Sequence, residues 1–135
     1  MAINLLEGLN KAQVEAVQAT HGPVLVLAGP GSGKTRVLTH RVAYLAREVG
    51  VDPYHILAVT FTNKAAHEMK SRLETLMGEG VRRLTVGTFH ATCARWLRIE
   101  AEHLPVNRDY QIYDEGDQQG VISQALKELN LDNKR

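Results

Sequence analysis

Apolar positions along this chain follow two rhythms, and their alternation sets out the architecture. Val24-Leu25-Val26-Leu27 and Ile56-Leu57-Ala58-Val59-Thr60-Phe61 are continuous apolar runs of strand length, and a third strand is expected at about Arg83 to Gly87. Between them the period lengthens. Leu38, Val42, Leu45 and Val49 stand at i, i+4, i+7 and i+11, the stripe of an amphipathic helix ending at Gly50. Thr62 or Asn63 caps a second such helix that carries Ala66, Met69, Leu73 and Leu76, with Gly78 and Gly80 as its stop. Ahead of the first strand, Asn10 caps a short helix reaching Thr20, broken by Gly22-Pro23. After the third strand, Phe89, Cys93, Trp96, Leu97 and Leu104 mark a helix closed by Pro105.

Strands with no polar alternation, separated by helices, predict an α/β fold: a parallel sheet flanked by helices on both faces. The first strand is expected over Val24 to Ala28. Beyond Pro105 the character changes. A short extended piece, Tyr110 to Tyr113, precedes a helix capped by Asp114, with Val121, Ile122, Ala125, Leu126 and Leu129 expected to face inward. The expected division is therefore 1–104 and 105–135.

Composition narrows the function. A length of 135 residues with 44% apolar content suits about one globular domain. The net charge of +1 means that any contact with nucleic acid must be local. No apolar run approaches a membrane span, and no signal-peptide pattern opens the chain. Cys93, the single cysteine, precludes an internal disulfide and suits a reducing cytoplasm; its apolar neighbours predict a small core residue. The histidines have no ligand spacing with one another or with Cys93, so no metal site built of protein ligands is expected.

The chemistry concentrates in Ala28-Gly29-Pro30-Gly31-Ser32-Gly33-Lys34-Thr35. This segment follows an apolar strand signal and opens a helix, the setting a phosphate-binding loop requires. Its glycines let successive N–H groups turn inward toward phosphate oxygens, and the helix start adds its positive dipole end. Lys34 is expected to reach the β and γ phosphates of a nucleoside triphosphate, with the Thr35 hydroxyl on Mg²⁺. Ala28 stands where the pattern usually has glycine, which a strand-end residue of negative φ can accommodate.

Three further segments narrow the class. Leu9-Asn10-Lys11-Ala12-Gln13, Thr60-Phe61-Thr62-Asn63-Lys64-Ala65-Ala66 and Gly87-Thr88-Phe89-His90, together with Gly33-Lys34-Thr35-Arg36-Val37-Leu38, resemble in order and spacing the UvrD/PcrA/Rep type of superfamily I DNA helicases. They match, in turn, its Q motif, motif Ia, motif Ib and extended phosphate loop. The resemblance covers nearly the whole chain.

It implies an incomplete RecA-like domain followed by the start of an inserted helical subdomain. It also implies ATP as cofactor with Mg²⁺, and single-stranded DNA, including 3′-tailed duplexes, as partner. The role implied is 3′→5′ unwinding in cytoplasmic DNA repair or replication. Gln13 would read the adenine edge, which its amide suits by donating and accepting at once. The planar guanidinium of Arg36 would lie against the adenine face. Phe61, Thr62, Asn63 and Lys64, at a strand end and helix start, would grip single-stranded DNA, as would Thr88, Phe89 and His90.

Asp114-Glu115-Gly116-Asp117 has the look of an acidic Mg²⁺-binding motif, but it follows no buried strand and reads as a helix N-terminus. Phosphoryl transfer also needs an acid on Mg²⁺, a group that positions water and an arginine on the developing charge. None is visible after His90. The chain is thus expected to resemble the amino-terminal piece of such a helicase and to be inactive alone. A recombination helicase–nuclease subunit shares these motifs. A non-catalytic nucleotide-binding module or a small-molecule kinase shares the loop, although a kinase leaves the segments at 60–66 and 87–90 unexplained.

Overall fold

The computed structural model describes residues 4–131. The chain divides into two compact units, 1–95 and 96–135, and the division falls inside a helix upstream of Pro105.

In the first unit, α1 (Lys11–Gln18) begins at a reciprocal cap. The Asn10 side chain accepts from the Gln13 N–H, and the Gln13 side chain accepts from the Asn10 N–H. α2 (Lys34–Arg47) packs against α1. Arg41 on α2 donates to the carbonyls of Ala16 and Ala19, satisfying acceptors that the end of α1 leaves open. A single 3₁₀ turn, Pro53–His55, leads into β1 (Leu57–Thr60). α3 (Asn63–Met77), capped by the Thr62 hydroxyl on the Ala65 N–H, then crosses to β2 (Thr85–Thr88).

The two strands pair in parallel, from Leu57 opposite Thr85 to Thr60 opposite Thr88. The described residues thus form an α/β arrangement with a two-stranded parallel sheet flanked by helices. Its core joins Val42 of α2, Ile56 and Ala58 of β1, Met69 and Leu73 of α3, and Val81. β1 and β2 both lead directly into helices, so Phe61 and Phe89 emerge at the same end of the sheet.

Several expectations are corrected. Val24 to Ala28 forms no strand and pairs with none among the described residues. Leu25 and Leu27 are 83% and 86% exposed, while Val24 and Val26 are only about half as exposed. The alternation is that of a strand, but a strand needs a ladder partner, and β1 and β2 bond only to each other.

On α2 the buried positions are Val37, Thr39, Val42 and Ala43, not Leu38 and Val49. Thr39 is tolerated inside because its hydroxyl donates to the Thr35 and Arg36 carbonyls. Cys93 is exposed rather than part of a core.

α4 (Phe89–Ile99) buries only Thr92, and Phe89, Trp96 and Leu97 remain well exposed. In the second unit, a 3₁₀ turn at Ala101–His103 buries Ala101, and the Arg98 guanidinium lies 4.7 Å from the centre of the Tyr110 ring. α5 (Glu115–Glu128) has no buried residue; Val121, Ile122 and Leu129 lie open. The acidic segment at 114–117 is the start of α5, as its sequence predicts, closed by a reciprocal cap between Asp114 and Asp117.

Candidate functional site

The phosphate-loop segment forms a tight curl at the N-terminus of α2. Gly31 and Gly33 hold φ of 74° and 83°, whereas Ser32 between them does not enter the left-handed region. Alternation of this kind turns successive N–H groups toward one side and makes an anion-receiving concavity. Gly33 serves as the N-cap of α2, with no side-chain hydrogen bond closing the helix end. Its left-handed φ favours glycine, and a Cβ there would stand 2.9 Å from the Gln13 Nε2 and push that amide aside.

The Gly29 carbonyl gathers the donors of the loop. It accepts from the Ser32 N–H at 3.4 Å, the Ser32 hydroxyl at 2.6 Å and the Lys34 ammonium at 2.7 Å. Lys34 is exposed and folded back over the loop. Gln13, held at the start of α1, donates its Nε2 to the Ser32 carbonyl at 3.0 Å. Gln13, Ala28, Gly29, Ser32 and Lys34 line one cavity of about 290 Å³. Pro30 and Gly31 form the exposed tip beside it. No acidic side chain of the described residues lines this cavity.

Arg36 lies beside this group and not within it. Its side chain borders a second groove, of about 260 Å³, together with Thr39, His40 and Arg72. Thr35, at the second position of α2, is partly buried. Gly8 and His40, which the sequence pattern does not single out, both touch the Arg36 neighbourhood. A tertiary turn brings Gly8 there, and His40 stands one helical turn beyond Arg36 on α2, so no motif in the sequence marks either.

At the strand ends, the Phe61 and Phe89 rings lie 5.3 Å apart between centroids with planes inclined at 49°. Phe61 is 80% exposed. Thr62, Asn63, Lys64 and His90 are exposed around them. Thr88 is buried, and its hydroxyl accepts from the Ala91 N–H, so it shapes the start of α4 and offers no free hydroxyl to the surface. The result is an open aromatic ledge with one cation, Lys64, at the first turn of α3.

Charge is perturbed away from both places, at Asp52. The Tyr54 backbone N–H holds its carboxyl below the usual range, and the Arg83 guanidinium at 2.9 Å acts in the same direction.

A two-stranded parallel sheet flanked by helices, with a glycine-curled loop at the N-terminus of one helix, defines the class as α/β. The chain belongs to the UvrD/REP helicase N-terminal domain family, which it matches over residues 9–135. Among curated relatives it is similar to the ATP-dependent DNA helicase PcrA of Bacillus subtilis (strain 168), at 54% identity over 97% of this chain and 18% of that protein. Similarity to PcrA of Staphylococcus epidermidis (strain ATCC 12228 / FDA PCI 1200) is 53%, and to PcrA of Staphylococcus aureus (strain NCTC 8325 / PS 47) 50%, with the same coverage. The chain spans 18% of the length of these relatives.

Proposed function

We propose that this chain is the nucleotide-binding and single-stranded-DNA-binding segment of an ATP-dependent 3′→5′ DNA helicase acting in cytoplasmic DNA repair or replication, with a RecA-like domain giving way to an inserted helical subdomain. The observation that carries the reading is the Lys34 ammonium folded over a glycine-curled loop, in one cavity with Gln13. ATP enters by taking over that ammonium. Lys34 leaves the Gly29 carbonyl for the β and γ phosphates, and the loop N–H groups and the α2 N-terminus receive the remaining charge. Gln13 reads the adenine edge and Arg36 lies along the base. The names of the relatives, all ATP-dependent DNA helicases, support this assignment.

Of the residues in this loop, the Thr35 hydroxyl would hold Mg²⁺. Among the described residues no three His, Cys, Asp or Glu side chains converge on another metal position. The ion would supply charge neutralisation on the phosphates. Phe61 and Phe89 stack unpaired bases, while Thr62, Asn63, Lys64 and His90 take the backbone phosphates at a helix start. Thr88 contributes by fixing the first turn of α4.

The test is binding of ATP and of an oligothymidylate to the 135-residue chain carrying Lys34→Ala or Phe61→Ala. The reading requires each substitution to weaken its own ligand and spare the other. An oligothymidylate bound equally by wild type and Phe61→Ala removes the ledge from the function.

A further inference from the structure

The turn that precedes α1 is fastened to the exposed side of α2. Leu5 is 2% exposed, and its carbonyl lies 2.7 Å from the His40 Nδ1. A carbonyl only accepts, so the ring carries its proton on Nδ1 and donates it. One helical turn earlier on the same face, the Arg36 guanidinium reaches the Glu7 carbonyl at 3.5 Å. Gly8, with φ of 71°, passes directly over that guanidinium; a Cβ built there would lie 2.8 Å from Nη2. The Arg36 Cβ in turn lies 3.9 Å from the place a Cβ would take on Gly33, beside Gln13.

We infer that Gly8 and His40 are positioning residues that set the Arg36 guanidinium in the plane where it meets a purine. The inference rests on the proposed reading of Arg36 as the base-stacking group. His40 fixes the height of the turn above α2 through Leu5. Gly8 supplies both the left-handed bend and the clearance under which the guanidinium lies. The guanidinium is the far end of a flexible side chain, so a methyl at Gly8 displaces it, while the left-handed φ adds strain within the turn itself. The consequence falls on the base and not on the triphosphate.

The test compares ATP with inorganic tripolyphosphate, which has no base, by calorimetric titration of the full chain in the presence of Mg²⁺. Wild type is expected to favour ATP. Gly8→Ala and His40→Ala are each expected to lose about two- to fivefold in ATP affinity, the scale of an exposed cation–π contact, with tripolyphosphate affinity unchanged. His40→Asn, whose amide nitrogen overlays the ring Nδ1, is expected to restore ATP binding. Wild-type ATP affinity in both Gly8→Ala and His40→Ala overturns the inference. So does a parallel fall in tripolyphosphate affinity, which marks a merely structural role. Arg36→Ala examines the underlying reading. If it keeps the wild-type preference for ATP, the stacking role fails, a result distinct from either of the others, and the inference falls with it.

Discussion

The rings of Phe61 and Phe89 stand 5.3 Å apart because each follows the last residue of one of two paired parallel strands, Thr60 opposite Thr88. Neither ring is drawn into the core, and Phe61 gives 80% of its surface to solvent. Such an exposed aromatic pair at the carboxyl ends of a parallel sheet lies where ligands of open α/β sheets bind.

Phe61→Ala is expected to weaken oligothymidylate binding by about 1–3 kcal/mol, the value of stacking one base, or roughly five- to 150-fold. Fluorescence anisotropy measures it. An unchanged isotherm in Phe61→Ala contradicts the ledge, and so does an equal loss in Lys70→Ala, an exposed control further along α3.

Leu25 and Leu27 present exposed apolar side chains on a segment of strand composition that pairs with no strand among the described residues, a surface that promotes association. The chain is expected to self-associate as its concentration rises, and the double substitution Leu25→Lys/Leu27→Lys to suppress this. Light scattering across a concentration series is the check. A wild-type chain that stays monomeric at high concentration contradicts the expectation.

Much of the fold was legible because its signals are local. Asn10, Thr62 and Asp114 cap helices through side-chain bonds to residues three positions on, and that short span marks Asn10 and Asp114 while leaving Thr62 or Asn63 open for the third. The loop at 28–35 was legible for the same reason: its curl is dictated by its own glycines. What depends on distant partners was not. The run at 24–28 has strand composition, yet pairing is a property of its neighbours. The apolar faces of α4 and α5, with Cys93, read as core because periodicity reports which face is apolar, not whether anything covers it. Gly8 and His40 matter through a tertiary turn, which no local pattern announces.

ATP hydrolysis by the 135-residue chain is expected to be negligible even where ATP binds. The phosphate-loop cavity has no acidic side chain among the described residues, and phosphoryl transfer needs one to hold Mg²⁺. A phosphate-release assay with and without oligothymidylate checks this. DNA-stimulated turnover well above a Lys34→Ala control would contradict it.

The Asp52 carboxyl is expected to titrate below the ordinary carboxylate range. The Tyr54 N–H and Arg83 both favour its charged form. A depressed folded-state value means that its contribution to stability is present above the ordinary carboxylate pKa and is lost as pH falls through the folded value. Arg83→Ala should move the midpoint part of the way back, leaving the Tyr54 bond in place. Carboxyl-detected NMR titration reads both, and an unchanged midpoint in Arg83→Ala contradicts a role for the ion pair.

The curl from Ala28 to Thr35, with Lys34 folded over it, is expected to receive the phosphates of a nucleotide. The most direct measurement of this is the calorimetric affinity for ATP of wild type against Lys34→Ala. Losing a hydrogen bond to a charged group costs about 1.5–3 kcal/mol, so ATP binding is expected to weaken roughly 10- to 150-fold in Lys34→Ala. Equal affinity in the two proteins would contradict it.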